Sequence, residues 1–393
     1  MKVLLVWELG AQLGHIGTLL PIADALVSKG HEIVLVLKNL SHAPSIIAGR
    51  HSFLQAPHRI QKSLRHRNFE SFADIILHAG FDSLELLEGL VTAWHALYAQ
   101  AKPDWVIYNH APLALFAARG LPFKKTCVGS GFENPPGFET FPRFRYWMPD
   151  STDGIAHRRK THELAFRNGN AVASKLGMPL LQRLPDIFSE ADIRLVTFPC
   201  LDHYPERGGG EYIGLINMPE MYTPMEQRDG ERWLFCYLWA RYRGSLELLK
   251  DLADAPGFKT FAVVPDLAGS GPDRLRHKNL TLTRQPASLG TLSNWAEGVL
   301  CHASHGTAAC ALSQGLPVLS FPVTLEQAML AQRVEAAGAG ITLHTEDGPQ
   351  EKKVRLVANT LDLLSCKRGA RAIRAATGGV KSKTGSDLLA SLE

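Results

Sequence analysis

Six consecutive residues, His302-Ala303-Ser304-His305-Gly306-Thr307, carry the clearest chemical signal in the chain. They follow a short apolar run and precede an alanine-rich stretch, the pattern of a loop leading from a buried strand into a helix. The first amides of a helix lack intrahelical acceptors, and the positive end of its dipole lies there too, so a phosphate is well held. Gly306 lets the backbone come close, Thr307 can cap the helix or bond a phosphate oxygen, and His302 and His305 can donate to the same group. The plainer alternative is a strand-to-helix turn in which Thr307 is only a cap, and spacing leaves both readings open.

A second pair, Glu326-Gln327, heads the helical segment after Pro322. A carboxylate beside an amide offers acceptors and donors suited to the hydroxyls of a sugar. Acidic residues also favour the first turn of any helix, which is the ordinary reading of the pair. In the N-terminal half, Gly14-His15 stands at the mouth of the loop after the first apolar run, and Asn109-His110 follows another such run. Both would emerge at the same edge of a sheet. A neutral imidazole there can take a proton from an attacking hydroxyl, whereas a solvent-facing loop histidine would do nothing.

These residues need two sets of alternating strands and helices to position them. The run 3–7 reads as a strand covered on both faces, a helix follows to Gly30 with Thr18 as its cap and Pro21 in its first turn, and 32–37 is a second strand. Residues 41–68 are polar and weakly periodic. Helical material at 81–100, a strand at 105–108, a helix at 111–119 and strands at 126–128 and 194–198 complete a first α/β half. Residues 199–228 are dense in proline and glycine, as a connection would be. The rhythm restarts with strands at 233–238, 260–264, 280–283, 299–301 and 318–321. The expected fold is therefore α/β, two Rossmann-like βαβ domains facing across a cleft. Their bounds are 1–215 and 216–377, with a tail at 378–393 able to pack back on the first domain.

Composition narrows the partners. The length of 393 residues suits two domains, and 45% apolar with 20% charged residues is ordinary for globular proteins. A net charge of +4 with scattered Lys and Arg argues against nucleic acid and suits a small anionic ligand. Six dispersed cysteines and no apolar run long enough to span a bilayer point to reduced thiols and a cytoplasmic protein. The sixteen histidines form no metal-binding spacing. A nicotinamide cofactor fits poorly: Gly10, Gly14 and Gly17 are spaced G-x-x-x-G-x-x-G, and Lys38 stands where an acid would meet the ribose.

Taken together, the loops resemble a known family. LGHIGTLLPIADALVSKGHEIVLVL (13–37) resembles the opening of GT-B fold glycosyltransferases of the UDP-glycosyltransferase and macrolide-glycosyltransferase kind. HASHGTAACALSQGLPVLSFPVTLEQAMLAQRVEAAGAG (302–340) is similar to their donor signature, H-G-G-x-G-T…G-x-P…P…[DE]-Q…R-V…G-x-G. KPDWVIYNHAPLALFAARGLP, YPERGGGEYIGLI and LTRQPASLGTLSNWAEGVL fall in the expected order, so the likeness spans nearly the whole chain and is weakest over 41–100.

The resemblance implies an inverting, metal-independent transfer of a sugar from a nucleoside diphosphate, UDP- or dTDP-linked, to a hydroxyl of a small or lipid-like acceptor. The sugar nucleotide is then a co-substrate, and no cofactor is implied. It implies that His302, Gly306 and Thr307 meet the diphosphate, that Glu326 and Gln327 meet the sugar hydroxyls, and that His15 is the general base. The aromatic stretch from Phe132 through Phe138 to Trp147 is the expected acceptor wall. Three positions depart from the family pattern. Ala303 and Ser304 replace two glycines, Ser304 adding a hydroxyl donor near His305. Thr283-Arg284-Gln285-Pro286 lacks the base-stacking tryptophan. Asn109 stands where an aspartate usually partners the histidine; an amide can orient His15 but cannot stabilise its imidazolium, which directs attention to another acid such as Glu8. The alternatives on the same fold are a sugar-nucleotide epimerase or hydrolase and a non-catalytic nucleotide-sugar-binding accessory protein.

Overall fold

A computed structural model describes residues 1–10, 14–41, 43–47, 49–60, 69–216, 231–255, 257–268, 275–285, 287, 289–343, 362–379 and 385–392. The chain divides into two compact units. Unit 1 comprises Met1–Val196, Tyr204–Asn217 and Lys383–Glu393; unit 2 comprises Thr197–His203 and Met218–Ser382.

In unit 1 the apolar run becomes β1 (Lys2–Trp7), followed by α1 (Gly14–Ser28) and β2 (Glu32–Leu37). A short α2 (Ala43–Ile47) leads to β3 (Ser52–Gln55), then α3 (Phe72–Ile76), a π-turn at Leu77–Phe81, α4 (Leu84–Ala101), β4 (Trp105–Asn109) and α5 (Pro112–Ala117). β5 (Lys124–Gly129), α6 (Thr152–Lys175), β6 (Asp192–Leu195) and β7 (Glu211–Tyr212) complete it. The seven strands are all parallel in the order β3-β2-β1-β4-β5-β6-β7. Val3, Leu5 and Trp7 of β1 join Leu19, Ile22 and Leu26 of α1 in one core, while Leu4 and Val6 on the other face are buried as well. Burial on both faces is why β1 reads as an unbroken apolar run instead of alternating.

Three local expectations are corrected. α1 begins at Gly14, so Thr18 is not its cap but bonds Gly14 O at 3.1 Å from within the helix, and Pro21 sits inside it. β3, an edge strand, and α6 gave no periodic signal. Apart from Val172, α6 buries small or polar residues such as Thr161, Ala165 and Asn168, so it has no apolar stripe to detect. The expected connection after 199 is structured as far as it is described: Pro199–Leu201 is a 3₁₀ turn, and β7 pairs with β6. Residues 61–68 and 217–228 and Pro286, all of which figured in the sequence reading, lie outside the described residues. At the far end a last helix, with Leu388 and Leu389 buried and Leu392 buried just beyond it, joins the core built on β1 and α1.

Unit 2 repeats the scheme. β8 (Trp233–Tyr237), α7 (Ser245–Ala253), β9 (Lys259–Val263), β10 (Leu280–Thr283) and β11 (Ala296–Cys301) precede α8 (His305–Ser313). β12 (Val318–Ser320), α9 (Leu325–Ala336), β13 (Gly340–Thr342) and α10 (Lys367–Thr377) follow, leaving α11 (Gly385–Ala390) as the terminal helix of unit 1. The six parallel strands run β10-β9-β8-β11-β12-β13. Each sheet reverses its strand order once, at β1/β4 in unit 1 and at β8/β11 in unit 2. Loops leaving the carboxyl ends of such neighbouring strands diverge and leave a crevice, the usual ligand position in open α/β sheets.

Candidate functional site

The reversal point of unit 1 gathers His15, Asn109 and His110. His15 lies in the first turn of α1, and its Nδ1 is 2.6 Å from Asn109 Oδ1 at the end of β4. Asn109 Nδ2 donates to Val128 O at 2.7 Å. A carbonyl only accepts, so the amide nitrogen must face Val128 and the amide oxygen must face His15. Nδ1 of His15 therefore carries the proton, and Nε2 keeps its lone pair. Among the described residues Nε2 has no hydrogen-bond partner. The ring stacks on Trp7 with centroids 5.4 Å apart. Gly10, at φ +88°, faces the Nε2 edge, and a Cβ there would overlap that nitrogen. Only glycine keeps the turn and lets the imidazole pack this close to the backbone.

Glu8, the expected alternative acid, does not reach His15. Successive side chains in extended chain point to opposite faces, so with Trp7 against His15 its neighbour points away. The Glu8 carboxyl is fully buried and accepts Ala114 N–H at 2.9 Å at the start of α5. Burial pushes its pKa up to about 8. The carboxylate that does approach is Glu133, which sequence reasoning missed. Its Oε1 lies 3.9 Å from His15 Nδ1, its side chain 16% exposed against 13% for the histidine. The other oxygen accepts the Ser130 N–H, and Gly129, at the end of β5, lacks the Cβ that would collide with this carboxylate and with the Asn109 amide. The available signal was positional: β5 neighbours β4, so a residue shortly after 129 emerges beside Asn109.

His110 adopts φ +48° and accepts Leu9 N–H at 2.9 Å through its carbonyl. Its ring, 5.6 Å from that of His15, is buried, and burial holds its pKa well below the ordinary value, so it stays neutral. Of the expected acceptor wall, Phe132 is 9% exposed and stacks on Phe144, which makes it core packing. Phe138 is 42% exposed, and Trp147 is half-buried, edge-on to Tyr146.

At the reversal point of unit 2 the six-residue loop follows β11 directly. His302 is 3% exposed, and both its ring nitrogens are occupied. Nδ1 lies 2.9 Å from Phe321 O, which fixes its proton there, and Nε2 accepts Trp239 N–H at 3.0 Å. The ring thus ties the loop after β11 to the end of β12 and to the loop after β8, instead of offering the expected donor to a phosphate. Burial, the largest influence, lowers its pKa and keeps it neutral. Ala303 takes φ +58°, the left-handed conformation in which glycine would be free of strain.

α8 then begins with no side chain capping its amides; Ser304 Oγ instead bonds Thr307 Oγ1 at 3.3 Å. Gly306 is exposed and nothing lies within 4 Å of where its Cβ would be, so the helix start is open. His305 Nε2 is 2.7 Å from Thr197 Oγ1, and burial with His203 beside it pushes its pKa down to about 3. Glu326 Oε1 lies 3.4 Å from His203 Nε2. Gln327 closes a capping box at the start of α9: its N–H meets Thr324 Oγ1 at 3.3 Å, and its Oε1 accepts Val323 N–H at 2.9 Å. The ordinary helix-start reading therefore describes the Gln327 oxygen, while Glu326 stays partly accessible, its side chain 27% exposed. The loop after β8 adds a cation that the sequence reading passed over. Arg241 lies 4.1 Å over the Trp239 ring, its backbone N–H held by Asp266 at 3.1 Å, and Tyr242 meets His302 edge-on at 5.0 Å. Among the described residues no group of three or more His, Cys, Asp or Glu could hold a metal ion, and no helix is long and apolar enough to cross a membrane.

No family model matches the chain, and no curated protein sequence matches it. Solved structures do. The glycotransferase of kitacinnamycin is similar over 100% of this chain and 99% of its own, at 15% identity and a TM-score of 0.70. The glycosyltransferase VinC, solved in complex with DTDP, is similar over 100% and 98%, at 14% identity and a TM-score of 0.69. The spinosyn rhamnosyltransferase SpnG, complexed with spinosyn aglycone, is similar over 100% of both chains, at 17% identity and a TM-score of 0.64. With two parallel-sheet α/β units of seven and six strands, this chain has the fold of the GT-B glycosyltransferases along its whole length.

Proposed function

We propose that the chain is an inverting glycosyltransferase that moves a sugar from a nucleoside diphosphate, UDP or dTDP, to a hydroxyl of a small or lipid-like acceptor. The observation that carries this reading is His15: a single tautomer fixed through Asn109, with an Nε2 that has no hydrogen-bond partner among the described residues and packs beside the Cβ-less Gly10. In unit 1 the acceptor hydroxyl gives its proton to Nε2 as its oxygen attacks the anomeric carbon. The bond from that carbon to the diphosphate oxygen breaks, and its electron pair leaves with the nucleoside diphosphate. In unit 2 the open start of α8 and the hydroxyls of Ser304 and Thr307 suit that developing charge, with Arg241 as a further cation. Glu326 is the group for the sugar hydroxyls. These donors stabilise the leaving group without calling on a metal.

The test is release of nucleoside diphosphate from UDP- and dTDP-sugars with and without a panel of hydroxyl acceptors. Release that requires an acceptor supports transfer. Release of free sugar without acceptor means a hydrolase, and conversion of the sugar without release means an epimerase. A non-catalytic nucleotide-sugar-binding role is favoured by one pair of observations, the amide at Asn109 and the occupied His302 ring. Binding of the nucleotide sugar without turnover across the panel would establish it.

A further inference from the structure

Proton uptake by His15 creates an imidazolium, and the amide at Asn109 brings it no charge. The groups that face this ring come from four elements. β1 contributes Trp7, and β4 contributes Asn109 and the neutral His110. From the end of β2, Lys38 bonds Gly10 O at 2.8 Å, a positive charge near the ring. Glu8 is turned away toward α5. The turn after β5 brings Glu133, at ion-pair distance from the nitrogen that already carries a proton.

We propose that Glu133 is the positioning residue that serves His15 as its negative partner, dividing between two side chains what one aspartate would do at position 109: Asn109 orients the ring and Glu133 supplies the charge. The inference rests on the reading of His15 as general base. Three features make the arrangement built instead of incidental. The carboxylate is anchored by the Ser130 N–H, so it is not a wandering surface group. Gly129 leaves the room it occupies alongside the Asn109 amide. Both partners are largely withdrawn from water, where a charge pair is screened little. In this step the proton taken from the acceptor hydroxyl rests on His15 Nε2 and then passes to solvent.

The alternative is that Glu133 only holds its own turn through Ser130. Glu133→Gln separates the two, because the amide oxygen can still accept that N–H while the charge is gone. The His15 imidazole is followed by NMR across pH in the full chain without substrate, and kcat and KM are measured across the same range. In Glu133→Gln the imidazole is expected to take its proton about tenfold less readily, its titration midpoint moving to lower pH. kcat should fall about tenfold to a hundredfold with the donor KM unchanged. Asn109→Asp in the Glu133→Gln background should restore both. An unmoved midpoint in Glu133→Gln overturns the proposal, since the NMR readout does not depend on the reaction. A moved midpoint together with full turnover in His15→Ala would instead overturn the base reading, so the two failures are distinct.

Discussion

Each reversal point holds a histidine, His15 after the first strand of its pair and His302 after the second of its own, and the two are engaged differently. After β1 and β4, His15 has one nitrogen engaged and the other open, while after β11 His302 has both engaged. The turn into the helix that follows each inner strand also carries a left-handed residue, His110 in unit 1 and Ala303 in unit 2. One reversal point therefore leaves a histidine nitrogen without a partner among the described residues, and the other engages both nitrogens as a brace. The decisive difference is the number of backbone groups within reach of the ring. His302 meets a carbonyl and an amide, but His15 meets a side-chain amide and the bare face of a glycine.

The contrast is sharpest in the paired substitutions His15→Ala and His302→Ala. His15→Ala should lower kcat by about 10² to 10⁴-fold with donor affinity little changed, as loss of a general base does. His302→Ala should cost about 2–4 kcal/mol of stability by orphaning the Phe321 carbonyl and the Trp239 amide in a buried place. Activity and urea-unfolding measurements on both variants would collapse the comparison if the two profiles proved alike.

A smaller effect concerns Glu8, beneath the His15 loop. Its carboxyl is raised from 4.5 to about 8 in the folded chain, so the folded state holds a proton that the unfolded state gives up. Stability from this group is complete below pH 4.5 and is lost as pH rises to about 8. Glu8→Gln should flatten that decline, seen as a weaker dependence of Tm on pH across the same window. An unchanged slope would show that another group governs it.

The smallest effect belongs to Ala303. At φ +58° it bears left-handed strain, and Ala303→Gly should relieve it. The gain should be at most about 1 kcal/mol, because glycine also loosens the unfolded chain. A loss of stability would mean that the Ala303 methyl, which is buried, packs better than the turn is strained.

The strand rhythm was legible because strands buried on both faces write themselves as apolar runs, as β1, β4, β8 and β11 do. β3 and α6 were not, since an edge strand and a helix that buries alanines and polar groups have no periodic apolar signal. His15, Asn109, Gly306 and Thr307 were legible from their places at strand ends and helix starts. Glu133 was not, because nothing in the spacing between 109 and 133 says that two turns meet. That follows only from β5 lying next to β4.

By itself, the sequence determined the alternation of elements, the two α/β halves, and the loops that would bear chemistry, since these follow from local apolar patterning and turn residues. Only the tertiary structure decided which histidine keeps a free lone pair and which carboxylate stands beside it. Those outcomes depend on hydrogen-bond partners brought from strands distant in sequence, such as Val128 O for Asn109 and Phe321 O for His302.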